Sequence, residues 1–214
     1  MPAQSGVQFL KATTAKELHE IYRFRYKIYV QEMHRMQHYA NHELKEIVDP
    51  LDCGAVNFFA AHQTKTIGIL RLNFCRWSEV GYYETLYAMH TVGPDHPEHT
   101  SICTRLMIIP ELRGSTLAVR MCILAYTFAL ARGIKHNFID CNDHLVPFFT
   151  GLGYVEHVPQ AEHEEYGLVT RMRLDVLNIA HLESVKSPFA PRLRSLLSAS
   201  ARPTERARTS VHAT

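Results

Sequence analysis

Three arginines stand where an arginine is expensive. In the stretch that starts a helix at Thr13 or Thr14, Leu18, Tyr22, Arg25 and Tyr29 are spaced by four, three and four, which places Arg25 on one face with large apolar or aromatic side chains. Arg71 interrupts a strand over residues 66–75, with Ile67, Ile69 and Asn73 on its own face and Gly68, Leu70, Leu72 and Phe74 on the other. Arg105 does the same over residues 102–109, sharing a face with Cys103, Met107 and Ile109 while Ile102, Leu106 and Ile108 point away. A guanidinium in such a setting needs a carboxylate or another acceptor beside it. Asp49 and Asp52, which bracket the proline turn of VDPLD, are the candidates. The three arginines either anchor a buried ionic network with Asp49 and Asp52, the plainer reading, or bind a carboxylate or phosphate ligand, and both can hold.

A second stretch with chemical content is RLMIIPELRGSTLA, residues 105–118. An apolar strand, Leu106, Met107, Ile108 and Ile109, ends at Pro110, turns through Glu111, Leu112, Arg113 and Gly114, and enters a helix with Ser115 and Thr116 in its first turn. Backbone N–H groups at a helix N-terminus, opened by glycine and backed by the helix dipole, suit phosphate. On spacing alone the plainer reading is an ordinary connection capped by Ser115 or Thr116.

The elements that must position these residues follow from periodicity. A first strand covers Val7–Lys11 and a helix runs to about Met33; strands cover residues 55–62, 66–75 and 102–109. An apolar helix fills 117–131 and stops at Gly133, and the strand His136–Cys141 follows. Asn142 and Asp143 serve as turn or N-cap before a short helix over 144–152; strands at 155–158 and 168–175 and a helical 177–185 close the fold. Strands interleaved with helices predict an α/β mixed sheet with helices on both faces. Residues 76–101, with Trp77, Tyr82, Tyr83 and Tyr87, are too long for a hairpin connection and read as a lid on the acceptor side or as a packed surface loop. His34, His38 and His42 would align on a helix, but no HExxH accompanies them, so they read as a solvated face and no metal site is expected.

Composition bounds the rest. With 214 residues, 46% of them hydrophobic, one substantial core is expected and a second domain would be cramped. Nothing approaches a transmembrane run or a signal peptide, so a cytoplasmic protein is expected. The five scattered cysteines, an odd number, read as buried free thiols. The net charge of +2 conceals an asymmetry: residues 186–214 carry six basic residues and one acid, leaving 17 basic against 20 acidic in residues 1–185. That divides the chain into a single domain over 1–185 and a basic, disordered tail over 186–214, with a short helix near 192–197. The tail reads as solubilising, with contact to an acidic carrier protein or a membrane surface as the weaker alternative, and a slightly acidic body disfavours nucleic acid.

Arg113–Ala118 resembles the acyl-carrier loop of the GNAT acyltransferases, Arg/Gln-x-x-Gly-x-Gly/Ala, with Thr116 at the central glycine position. In order, RFRYKIYVQEM, VDPLD, GILRL and CTRLMIIPELRGS are similar to the N-acyl amino acid synthase and acyl-homoserine-lactone synthase branch, a likeness covering roughly residues 18–154. The resemblance implies that Arg25, Asp49, Asp52, Arg71 and Arg105 form a charged cluster near the active site that positions the acceptor. It implies that the donor's pantetheine arm pairs with Met107, Ile108 and Ile109, and that its phosphate lies on Arg113, Gly114, Ser115, Thr116, Leu117 and Ala118. Asn142 and Phe149 join the donor side, and the thioester sits between Ile108 and Cys141, where the fourth and fifth strands splay. Ile102 stands where lactone synthases carry a glutamate, which disfavours that reaction, and Phe149 stands where many acetyltransferases carry a tyrosine acid.

The implied activity is an N-acyltransferase moving a long fatty acyl group from acyl carrier protein or acyl-CoA to the amine of an amino acid or similar small molecule. Acyl-CoA or acyl-phosphopantetheine is a donor substrate here, and no permanently bound cofactor is expected. Met121, Tyr126, Val146, Phe148, Phe149 and Leu152 would line the acyl groove, and Glu84, His90, Asn142 or a water relay would act as base. The alternatives are a short-chain acetyltransferase using acetyl-CoA and a degenerate binding module.

Overall fold

The chain's own capping chemistry fixes where the first helix starts. In a computed structural model describing residues 6–200, strand β1 (Val7–Lys11) leads to Thr14, whose hydroxyl accepts the Glu17 N–H at 3.2 Å. The Glu17 carboxylate reaches back to the Thr14 N–H at 2.9 Å, completing a capping box. Helix α1 (Ala15–Tyr26) then runs as expected, but its last stretch is a π-helical turn over Lys27–Glu32. Such widened turns recur at functional sites, and this one carries Tyr29. Residues 33–47 are not helical: they hold the small hairpin β2 (Ala40–Asn41) and β3 (Glu46–Ile47), so the histidine stack does not form, and His42 Nδ1 instead meets the Tyr26 hydroxyl at 2.9 Å.

Seven strands make the main sheet: β1, β4 (Val56–His62), β5 (Lys65–Phe74), β6 (Thr100–Ile108), β7 (His136–Cys141), β8 (Val155–His163) and β9 (Gly167–Asp175), in the order β1-β4-β5-β6-β7-β9-β8. All neighbours are antiparallel except β6 and β7. On one face Ile21, Phe24 and Ile28 of α1 pack on Phe59, Ile69 and Met107. On the other, Met121, Ala125 and Ala129 of helix α3 (Leu117–Leu130) pack on Leu70, Leu72, Phe74 and Ile108. Close approach is bought at Gly68, where a Cβ would lie 2.7 Å from Ile108 Cδ1 and 3.0 Å from Met121 Sδ. The expected mixed sheet with helices on both faces is therefore present.

Two irregularities shape the middle of the sheet. Ile69 pairs with Met107 but Arg71 with Thr104, so β6 carries one extra residue, and Arg105 takes it up in the left-handed region at φ +58°. The alternation expected for β6 breaks there: Arg105 faces the α1 side with Thr104, whereas Cys103 packs into the α3 core. Pairing between β6 and β7 stops at Ile102 and Phe138, and beyond it the two strands splay.

The long connection is an ordered cover. Helix α2 (Tyr83–Leu86) and a 3-10 segment (Met89–Asp95) bury Tyr87 and Met89 against Ile102 and Phe138. Past β7, helix α4 (Val146–Leu152) precedes β8, which is twice the expected length and forms with β9 a hairpin whose tip holds Glu165 and Tyr166.

The expected boundary at residue 185 needs correction. After α5 (Ile179–Ser184), Ser187, Phe189, Ala190 and Leu193 are buried, the last two on helix α6 (Ala190–Ser200). Phe189 stacks on Tyr126 with centroids 4.3 Å apart and planes at 4°. The apolar residues of this segment complete the core, so residues 186–200 belong to the fold; residues 201–214 of the expected tail lie outside the described residues. Cys53 is exposed, unlike the buried thiol expected, whereas Cys122 and Cys141 are buried. No helix among the described residues is long and apolar enough to cross a membrane.

Candidate active site

Asp52 accepts both amino groups of Arg25, at 2.7 and 2.9 Å, a bidentate pair that Asn57 Oδ1 extends at 2.9 Å. Asp49 accepts Arg71 at 2.5 Å through one oxygen and Arg105 at 2.8 Å through the other. Both aspartates also fold the turn itself: Asp49 Oδ1 caps the Leu51 N–H at 3.0 Å and Asp52 Oδ2 accepts the Asp49 N–H at 3.0 Å. Burial by itself would push the Asp49 carboxyl up, but the Arg71 and Arg105 guanidiniums outweigh it and hold the group at about 2.

This network brings together all five side chains expected to cluster, and it separates their roles. Arg25 and Arg71 are 0% and 1% exposed and are consumed by the framework. Arg105 alone of the five lines the cavity. Its remaining donors reach Gln37 Oε1 at 3.0 Å and the Tyr166 hydroxyl at 2.5 Å, with Glu165 at 3.6 Å. Its guanidinium also lies over the Tyr29 ring, 5.2 Å from the centroid.

The cavity measures about 860 Å³ and passes through the sheet where β6 and β7 part. Its mouth is the turn that precedes α3, with Arg113, Gly114, Ser115, Thr116 and Ala118 on its wall. Gly114 has φ +76°, and the Ser115 hydroxyl accepts the Leu117 N–H at 3.2 Å. Arg113 donates to the Ile108 carbonyl at 3.1 Å and pairs with Glu32 at 2.5 Å, which ties the turn to the π-helical stretch. Met107 and Ile108 line the cavity, whereas Leu117 is fully buried in the α3 core and Ile109 packs beside both cores without reaching the wall.

Of the expected acyl-groove residues, Tyr126, Phe148 and Phe149 are on the wall; Met121 and Leu152 are core, and Val146 packs against it. The inner end is closed by Ala125, Ala129, Val176 and Phe189. On the α1 side the wall is aromatic and charged: Tyr29, Arg35, Tyr83, Arg105, Asp140 and Tyr166.

Of the three side chains expected as base, only Asn142 reaches the cavity wall. Glu84 is exposed and faces His96 at 3.4 Å, His90 is on the surface, and the Asn142 amide donates to the Tyr166 and Leu168 carbonyls at 3.0 and 3.2 Å, holding the hairpin. The sequence reading missed Asp140, Gln37, Glu165 and Tyr166. Gln37 and Tyr166 sit in polar, irregular stretches without periodicity; Asp140 carried a signal, as a carboxylate inside the apolar run HNFIDC.

The sheet is thus split at a bulged strand beside an arginine–aspartate cluster. No protein-family model matches the chain, and no curated protein does. Solved structures do. FeeM, an N-acyl amino acid synthase from uncultured soil microbes, aligns with TM-score 0.66 at 12% identity, covering 86% of this chain and 97% of its own. MesI, a CoA-dependent acyl-homoserine lactone synthase, aligns at 0.64 and 20%, covering 89% and 95%. BjaI, another, solved with SAM and isopentyl-CoA, aligns at 0.63 and 18%, covering 89% and 98%.

The fold is that of the N-acyl amino acid and acyl-homoserine lactone synthases. Within this fold, Ile102 is 0% exposed and embedded among Leu51, Tyr87 and Phe138, an uncharged and buried point of the sheet. Phe149 packs edge-on against Tyr154 at 5.7 Å, and the Tyr154 hydroxyl is spent on Asn137 at 2.6 Å.

Proposed function

We propose that this protein is an N-acyltransferase that moves an acyl group from a thioester of coenzyme A or of a carrier protein's phosphopantetheine to the amine of an amino acid. The observation that carries the reading is the cavity: one continuous space joins an anion-binding helix start, the unpaired edge of β6 and an apolar interior. Its volume is that of a small-ligand site. Main-chain groups of β6 beyond Ile102 have no β7 partner, which suits pairing with a pantetheine arm. The interior ends at the Tyr126–Phe189 stack, and its depth favours a long acyl chain over acetyl. Catalysis then rests on proximity and on N–H donors near the bulge for the developing oxyanion.

The acceptor's carboxylate is matched by Arg35. Arg105 is already shared between Asp49 and Glu165, whereas Arg35 lies over the Tyr166 ring, 5.5 Å from its centroid, and has no ion-pair partner among the described residues. A cytoplasmic location, where both donors are made, accompanies this reading. The test is mass spectrometry of extracts from a bacterial host expressing the chain, beside an Arg105→Ala control. N-acylated amino acids present with the native chain and absent with the control support it; purified protein that forms no amide from any acyl donor across the amino acids refutes it.

A further inference from the structure

The reading above leaves one chemical need unmet, a group to take the amine proton. Asp140 lies two residues past Phe138, the last β7 residue paired with β6, and therefore on the same strand face as Phe138, which packs on Ile102. Its carboxylate is on the cavity wall at the level where the strands part. The Tyr87 hydroxyl donates to Oδ1, and the carboxylate takes no hydrogen bond from the side chain of any other described residue. One oxygen is thus fixed by the cover and the other is open to the cavity.

We propose that Asp140 Oδ2 is the proton acceptor for the attacking amine, supplied from β7 because β6 presents Cys103, Thr104 and Arg105, and no carboxylate, to the cavity at that level. This rests on the acyl-transfer reading. The acceptor sheds one proton to solvent on entry. Its nitrogen lone pair then forms the C–N bond to the thioester carbonyl carbon, and the carbonyl electrons move to oxygen. Collapse breaks the C–S bond, leaving its electron pair on sulfur. The surplus N–H proton passes to Oδ2 and from there to the thiolate. Amide and thiol result, the carboxylate is restored, and the net release is the one proton lost at entry.

The surroundings suit that task. Tyr82, Tyr83 and Tyr87 face the group from the cover, His163 and Glu165 from the hairpin, Arg105 from β6, and Cys141 adjoins it on β7. Burial raises the carboxyl above its ordinary value against the opposing pull of the Tyr87 hydrogen bond, His163 and Arg105, which moves a carboxylate toward the strength a base needs. His163 is not the rival it resembles. Its Nδ1 accepts the Glu165 N–H at 3.0 Å, so the ring proton is on Nε2 and is directed at the Tyr82 oxygen, 2.5 Å away.

The experiment follows amide formation from an acyl-CoA and the best amino acid acceptor, as a function of pH, for the native chain, D140N and Y87F. D140N is expected to lose about 10²- to 10⁴-fold in kcat with both KM values within about threefold of native. Its coenzyme A affinity, measured by calorimetry, should be native. Y87F keeps the carboxylate but removes a hydrogen bond that favours its charged form, so its activity should persist with the acidic limb displaced to higher pH. A D140N kcat within about fivefold of native, or a loss confined to the amine KM, overturns the assignment and makes Asp140 at most an anchor. Should D140N fail to bind coenzyme A, Y87F decides: an unmoved acidic limb overturns the proposal. Turnover by the native chain that D140N leaves intact defeats this inference alone, whereas a native chain that forms no amide defeats the acyl-transfer reading and the inference with it.

Discussion

Asp49→Asn keeps the shape of a side chain that is 7% exposed and removes the charge shared by Arg71 and Arg105. Burial opposes the charge and the two guanidiniums win, leaving a folded-state value of about 2 against 3.8. That depression corresponds to about 2 kcal/mol of stability carried by the ionised form. Because the folded value is the lower one, this stability is complete above the unfolded value and is lost as the pH falls through the folded one, with about half gone near pH 3. Asparagine also leaves two buried guanidiniums short of an anion, and removing one partner of a buried pair costs about 3–5 kcal/mol. D49N should therefore lose about 2–5 kcal/mol at pH 7 in urea unfolding, and the gap to the native chain should narrow markedly by pH 3. A gap below about 1 kcal/mol at pH 7 would mean that the cluster contributes no more than a surface pair. A gap of equal size at both pH values would show that the loss comes from packing.

Arg35→Ala should raise the KM for amino acids by about tenfold or more, the worth of one charge-assisted hydrogen bond, and leave amines without a carboxylate unaffected; equal effects on both acceptor classes would remove Arg35 as the anchor. Phe189→Ala deletes the floor of the acyl cavity, so competition between donors of different length should shift toward longer chains, at a stability cost of about 3–5 kcal/mol read from unfolding curves. Ending the chain at residue 185 removes the buried Phe189 and Leu193 together and should abolish cooperative thermal unfolding; a native melting curve from that truncation would contradict the burial seen here.

Much of the fold was legible because its signals are local. The Thr14 cap, the apolar α3 and the strand His136–Cys141 follow from residue type and period, and the structure places them within a residue or two. The cluster was legible for a different reason: a buried arginine demands an acid, and VDPLD offered two. What stayed hidden depended on tertiary context. Alternation cannot reveal a bulge, so Cys103 was assigned to the wrong face. The hairpin tip bearing Tyr166 is polar and reads as loop, although Tyr166 lines the cavity beside Arg105. Phe189 and Leu193 were diluted by the serines, prolines and arginines around them, and composition averaged over that stretch outweighed two residues that the core needs.

The bulge at Arg105 has a genetic consequence. The ladder between β5 and β6 is regular on both sides of it, with Arg71 opposite Thr104 and Ile69 opposite Met107. Deleting that single codon would make the spacing even, so β6 could pair without interruption and still send Met107 and Ile108 to the faces they now occupy. The uninterrupted sheet would keep its apolar pattern but lose the arginine that Asp49 holds. In-frame loss of Arg105 is thus a one-codon step that removes the cluster's cavity-facing cation while leaving the β5–β6 ladder in register.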